Sequence, residues 1–190
     1  MFWMFVGGLI CLVIGAEMLV RGSSRLALSF GISPLVVGLT IVAFGTSSPE
    51  VAVSVGAALE GRSDIAVGNV VGSNVFNILG CLGLSALVSG TVAGSGGLGV
   101  SPSILAFDIW VMLAVALACL PVFMSGREIA RWEGLVFIAY YVAYVLYLIL
   151  AAQQHDALAL FSTVMLSFVI PITLVTMVVV MLRKPRPTNA

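Results

Sequence analysis

The chain is built from apolar runs long enough to cross a lipid bilayer, and this restricts what it can fold into more than any motif does. The runs extend from about Phe2 to Val20, Ile32 to Leu59, Ile65 to Val88, Ile104 to Met124, Leu135 to Ala152 and Ala157 to Leu182. A helix needs roughly 20 mostly apolar residues to span the hydrocarbon core. Lipid offers no partner to a free backbone N–H or C=O, so unbroken apolar runs of this length are expected to be helical. The fold class expected is all-α, a polytopic membrane helical bundle of about six transmembrane helices. Composition agrees: 61% of the 190 residues are hydrophobic and only 8% are charged, where a soluble domain carries about a quarter charged residues. A water-soluble enzyme is excluded on that ground. Eight Lys and Arg balance eight Asp and Glu, and only the last residues form a basic run, so no nucleic-acid partner is expected.

The breaks between runs are Arg21 to Gly31, Glu60 to Asp64, the glycine-rich Gly90 to Pro102, Ser125 to Glu133, and Gln153 to Asp156, all short connections. The first run is read as a retained helix rather than a signal peptide, because it has no basic stretch before it, carries Glu17 within it, and is followed by its arginines. With the amino terminus inside, the inner face collects Arg62, Arg127, Arg131, Arg183, Lys184 and Arg186, against Arg21 and Arg25 outside. The positive-inside rule then places both termini in the cytoplasm. Cys11, Cys81 and Cys119 lie in apolar runs without a CxxC pair and are expected to pack.

The second run is interrupted midway by Gly45-Thr46-Ser47-Ser48-Pro49-Glu50. A carboxylate at membrane depth costs several kcal/mol unless it is compensated, and such groups mark ion or proton pathways. Pro49 lacks an N–H and its ring collides with the Gly45 carbonyl, so the helix should kink or break there and leave carbonyls free. Thr46 lies one turn before Glu50 on the same face, and Ser47 beside it. Carbonyl, hydroxyl and carboxylate oxygens suit a hard cation such as Ca²⁺ or Na⁺. The alternative is a structural kink whose glutamate stays protonated and hydrogen-bonded. In the third run, Gly68-Asn69-Val70-Val71-Gly72-Ser73-Asn74-Val75-Phe76-Asn77 puts Asn69, Ser73 and Asn77 on one face, while Gly68 and Gly72 permit close helix approach. A tight packing face would explain the glycines alone. A polar face shortly after a broken, glutamate-bearing helix points instead to an oxygen-lined cation site near mid-membrane.

GTSSPE followed by GNVVGSNVFN resembles the repeat signature of the cation/calcium antiporter superfamily, and within it the bacterial sodium/calcium exchangers. The resemblance covers roughly residues 5 to 150, from GAEMLVRGSSRLA through GREIARWEG. It implies one five-helix exchanger repeat with a broken second helix over residues 1–152, and an additional transmembrane helix with a basic tail over 153–190. It also implies that Ca²⁺ and Na⁺ are transported ions coordinated by Ala43 (through its backbone oxygen), Thr46, Ser47, Glu50, Ser73 and Asn77, with no resident cofactor. Full-length members resemble two inverted halves, whereas this chain carries each motif once. A second exchanger half is therefore expected, either an inverted homodimer or a separate chain, unless the chain is an incomplete exchanger. The implied activity is sodium/calcium antiport in the cell (inner) membrane. Cation/proton exchange and a non-transporting packing or regulatory subunit stand as alternatives, and no nucleophile–base pair, metal cluster or phosphate loop supports an enzyme.

Other features are given structural roles. Gly94 to Gly99 matches GxGxxG without a preceding strand and is read as a connection. Asp108 is assigned to capping or interfacial solvation, Glu17 to a helix-end pair with Arg21, His155 to no role, and Tyr140, Tyr141, Tyr144 and Tyr147 to packing and interface anchoring.

Overall fold

The computed structural model describes residues 2–29, 31–92, 96–124 and 128–182, and every regular element among them is helical. The chain divides into two compact units, Met1–Val100 and Ser101–Ala190. In the first, α1 is Phe2–Ser29, α2 is Pro34–Thr46, α3 is Ser48–Leu59 and α4 is Ser63–Ser89. In the second, α5 is Ile104–Phe123, α6 is Arg131–Ala152 and α7 is Ala157–Thr176, with helix continuing to Leu182. Among the described residues five helices are long and apolar enough to cross a membrane, and α2 with α3 forms a sixth, bent candidate. Large apolar side chains face outward, with Trp3 81% and Leu59 84% exposed, and among the described residues only Val37, Ala57, Val122 and Leu148 form buried apolar positions. This inverts a soluble core and fits a bundle solvated by lipid.

Several expectations about the elements need correction. The helix expected to end at Val20 continues through Ser29, so Arg21 and Arg25 belong to α1 and not to a connection. The reason is local pairing: Arg21 Nε donates to Glu17 Oε1 at 2.8 Å one turn back, which neutralises both charges on a helix whose following residues stay helix-compatible. At about 1.5 Å per residue, α1 exceeds the roughly 30 Å hydrocarbon thickness, which lets this charged end reach the interface. Glu133 lies in the first turn of α6 rather than in a connection, where its carboxylate accepts the Ala130 N–H at 2.7 Å. Arg127 and the tail from Arg183 lie outside the described residues, as do Gly94 and Ser95 of the glycine-rich segment.

Turn chemistry follows from sequence at two places. After α3, Arg62 N–H bonds to Ala57 O at 2.8 Å and Gly61 N–H to Ala58 O at 3.1 Å, while Gly61 takes φ +73°. This is the Schellman arrangement, in which glycine accepts the left-handed conformation without a Cβ penalty. It reverses the chain into α4. After α6 the same pattern recurs with Gln154 at φ 50° and His155 N–H on Leu150 O at 3.0 Å. His155 then has a role after all: its Nδ1 accepts the Ala157 N–H at 3.1 Å, covering an otherwise unpaired donor at the start of α7.

In the second unit, polar groups pair across helices. Tyr144 OH donates to Asp108 Oδ1 at 2.8 Å, and Tyr140 OH donates to Thr173 Oγ1 at 2.7 Å. Asp108 is thus neither a cap nor simply solvated, and two of the tyrosines do more than pack. Phe107 stacks on Tyr147 with ring centroids 4.3 Å apart. Asp108 ends a wide π turn, Ile104–Asp108. A second, Met165–Val169, stands just before Pro171 and loosens the backbone there.

The close approach of α1 to α2 depends on Gly45, because a Cβ built there would overlap Leu19 Cδ2. The overlap falls on the tip of a side chain that can rotate, so Gly45→Ala should destabilise the protein by no more than about 1 kcal/mol, measured by thermal unfolding in detergent, and Leu19→Ala should relieve most of that loss. Independent, additive effects of the two changes would show that this contact does not set the packing. Tyr144→Phe, which strips Asp108 of a donor, should cost about 1–3 kcal/mol in the same assay. Tyr141→Phe, at an exposed ring, should stay within about 0.5 kcal/mol.

Candidate cation site

The first unit gathers its polar groups around the junction of α2 and α3. Ser33 caps α2, its Oγ accepting the Val36 N–H at 3.4 Å, with Pro34 in the first turn. A wide turn at Gly38–Val42 follows. The helix breaks at Ser47, which takes φ −89° and ψ 1°, and α3 leaves at 42° to α2. Pro49 gives the physical cause, since it can offer no N–H to Gly45 O. Ala43 remains inside the helix: its carbonyl accepts the Ser47 N–H at 3.1 Å and the Thr46 hydroxyl at 3.3 Å. Thr46 Oγ1 also bonds to Val42 O at 2.8 Å, and Ser48 Oγ to Phe44 O at 3.0 Å. These hydroxyls spend their protons on backbone carbonyls and keep oxygen lone pairs for another partner.

Glu50 lies in the first turn of α3, where the positive end of the helix dipole favours its negative charge. Its Oε2 is buried and has no hydrogen-bond partner. Buried polar atoms without partners are rare and call for a water, an ion or a functional role. On the facing helix, Asn69 Nδ2 donates to Glu50 O at 3.1 Å and to Ser54 Oγ at 2.9 Å, and Ser54 Oγ donates to Ala66 O at 3.3 Å. These bonds fix the antiparallel register of α3 and α4.

Ser73 is half-buried and its Oγ donates to Val70 O at 3.0 Å, again leaving lone pairs outward. Asn77 is exposed and opens another wide turn, Asn77–Leu82. Its Oδ1 receives only the weak Cys81 thiol, at 3.6 Å. Thr46, Ser47 and Asn77 all face outward. The structure therefore joins Asn69 directly to the Glu50 backbone, while Ser73 and Asn77 lie one and two turns further along α4 and the Glu50 Oε2 atom bonds to neither. Among the described residues, no three His, Cys, Asp or Glu side chains gather as a metal cluster. A cation held here would meet one carboxylate supplemented by neutral oxygens. Asn69 stood out in the sequence only as part of a polar stripe; its bonds to α3 depend on a hairpin register that spacing alone does not give.

The sequence profile of the family described as sodium/calcium exchanger protein matches residues 1–150. The chain belongs to the sodium/calcium exchanger family. It is 44% identical over 137 residues to the sodium/calcium exchanger MaX1 of Methanosarcina acetivorans, which covers 72% of this chain and 37% of that relative. It is 36% identical over 153 residues to the inner membrane protein YrbG of Escherichia coli, covering 80% of this chain and 45% of YrbG. With the human sodium/potassium/calcium exchanger 4 it shares 37% identity over 111 residues, 58% of this chain and 17% of the relative. The chain thus spans less than half the length of each of these exchanger-family relatives. No solved structure matches it. Family membership and the helical architecture together make it an integral multi-pass membrane protein.

Proposed function

We propose that this chain is one half of a secondary active antiporter that exchanges Na⁺ for Ca²⁺ across the cell (inner) membrane, with Glu50 as the charged ligand. The observation that carries the reading is the buried, unpartnered Glu50 Oε2 beside a helix break. Such an atom favours a bound cation, because a carboxylate in a low-dielectric setting needs an opposite charge. Thr46 and Ser73 present hydroxyl lone pairs, Ser47 offers its hydroxyl at the break, and Asn77 offers an amide oxygen that a thiol holds only weakly; the Ala43 carbonyl would join them by giving up its bond from the Thr46 hydroxyl. These neutral oxygens replace part of the water shell that the ion sheds. The ions are cargo, and the reading involves transport without a resident cofactor or an enzymatic reaction.

One carboxylate leaves a divalent ion half-neutralised. A second, inverted half facing the exposed Thr46, Ser47 and Asn77 would supply the missing charge and give the two bodies that alternating access requires. That half is a second copy of this chain or a separate chain. The relative named as an inner membrane protein supports that membrane as the location, and the count of Lys and Arg in alternate connections favours cytoplasmic termini.

In sealed vesicles, an imposed Na⁺ gradient should drive Ca²⁺ movement. Movement driven only by a pH gradient would mean cation/proton exchange, and none in either case would leave a non-transporting subunit. Glu50→Gln should weaken Ca²⁺ binding by roughly two orders of magnitude, about 3 kcal/mol. Asn77→Ala should cost about tenfold or less, as befits one neutral oxygen. Unchanged calcium uptake and calcium-dependent stabilisation in Glu50→Gln would overturn the site, and a larger loss at Asn77 would reverse the two roles.

A further inference from the structure

We infer that Asn69 is a positioning residue for the cation site: its carboxamide holds the Glu50 backbone against α4, and so sets the spacing between the helix that carries Glu50 and the helix that carries Ser73 and Asn77. The inference rests on the cation-site reading above and assigns a separate task to a side chain outside the proposed ligand set. Asn69 Nδ2 makes two bonds, to Glu50 O at 3.1 Å and to Ser54 Oγ at 2.9 Å. A main-chain carbonyl can only accept, so the bond to Glu50 O fixes which way the amide faces. Both N–H groups are thereby committed, one to each of two successive turns of α3, and the side chain acts as a two-point clamp.

The clamp acts where α3 is least supported by its own backbone. Glu50 lies next to Pro49, in the first turn after the break at Ser47, where helix hydrogen bonding is incomplete. Ser54 is anchored a second time, through Ala66 O at 3.3 Å, so the lower turn stays tied to α4 without Asn69. Glu50 has no such reserve: Asn69 is the α4 side chain that bonds its main chain among the described residues. Loss of Asn69 should release the Glu50 turn more than the Ser54 turn. Misplacing a charged ligand by a fraction of an ångström weakens ion binding with little effect on the rest of the bundle.

The test uses the full chain purified in detergent, with Ca²⁺ as the probe and two readouts, the calcium-induced shift of the carboxylate band in infrared difference spectra and the thermal unfolding midpoint without calcium. Asn69→Leu keeps volume but removes both donors. It should raise the Ca²⁺ concentration at half-maximal shift by about tenfold, whereas Ser54→Ala, which leaves the bond to Glu50 intact, should raise it by less than about threefold. A purely structural clamp would make the two variants change binding only in proportion to their loss of thermal stability. If Asn69→Leu leaves the half-maximal concentration unchanged, or if the two variants fall on one line of binding against stability, the positioning role is overturned. If the unaltered chain gives no calcium-induced shift, or if the shift survives in Glu50→Gln, the cation-site reading itself fails and this inference with it.

Discussion

An acidic side chain in a membrane-spanning segment must be compensated, and the arrangement of the first unit can be traced to that need. Glu50 is provided for at three levels. Pro49 breaks the helix, which puts Glu50 at the start of a new helix with a favourable dipole. Hydroxyls at Thr46 and Ser48 occupy carbonyls near the break, so the interruption leaves fewer backbone groups unpaired in lipid. Asn69 then ties the exposed turn to α4. What these devices leave uncompensated is the carboxylate Oε2 itself, and the proposed cation is the group that completes it.

Much of this was legible in the sequence, because composition and short-range stereochemistry are local properties. The apolar runs, the break before Glu50, the single polar face of Asn69, Ser73 and Asn77, and the Glu17–Arg21 pair each follow from spacing within a turn or two of helix. The end of α1 was not legible: the Glu17–Arg21 pair was read as closing the helix, whereas the helix continues past it to Ser29. The Asp108–Tyr144 bond joins residues 36 apart in sequence, so no pattern on either segment announces it. The wide turns are hidden for another reason. A single inserted residue keeps nearly helical dihedrals, as at Ala43 with φ −58° and ψ −47° just after one of them, and carries no composition of its own.

The wide turns fall at related places. One, Gly38–Val42, immediately precedes Ala43, and another begins at Asn77. Each adds slack to a helix next to a proposed ligand, and local widening of this kind is common beside functional positions because it frees carbonyls and shifts side-chain phase. In the second unit the turn ending at Asp108 accompanies a polar bond rather than a proposed ligand. There the same backbone device serves to bring a carboxylate within reach of a neighbouring helix.

The hairpin of α3 and α4 has a consequence for biogenesis. Its cross-helix bonds join residues only 12 to 19 positions apart, and its reversal at Gly61 is fixed by a motif contained in the chain itself. Contacts this local close early, since little chain entropy is lost in forming them. During synthesis, Ser54 and Asn69 can therefore find each other while both helices are still leaving the translocation machinery. The pair would enter lipid as a prefolded unit with much of its polar seam already hidden. The segment that carries the most costly side chain is also the one whose partners arrive soonest.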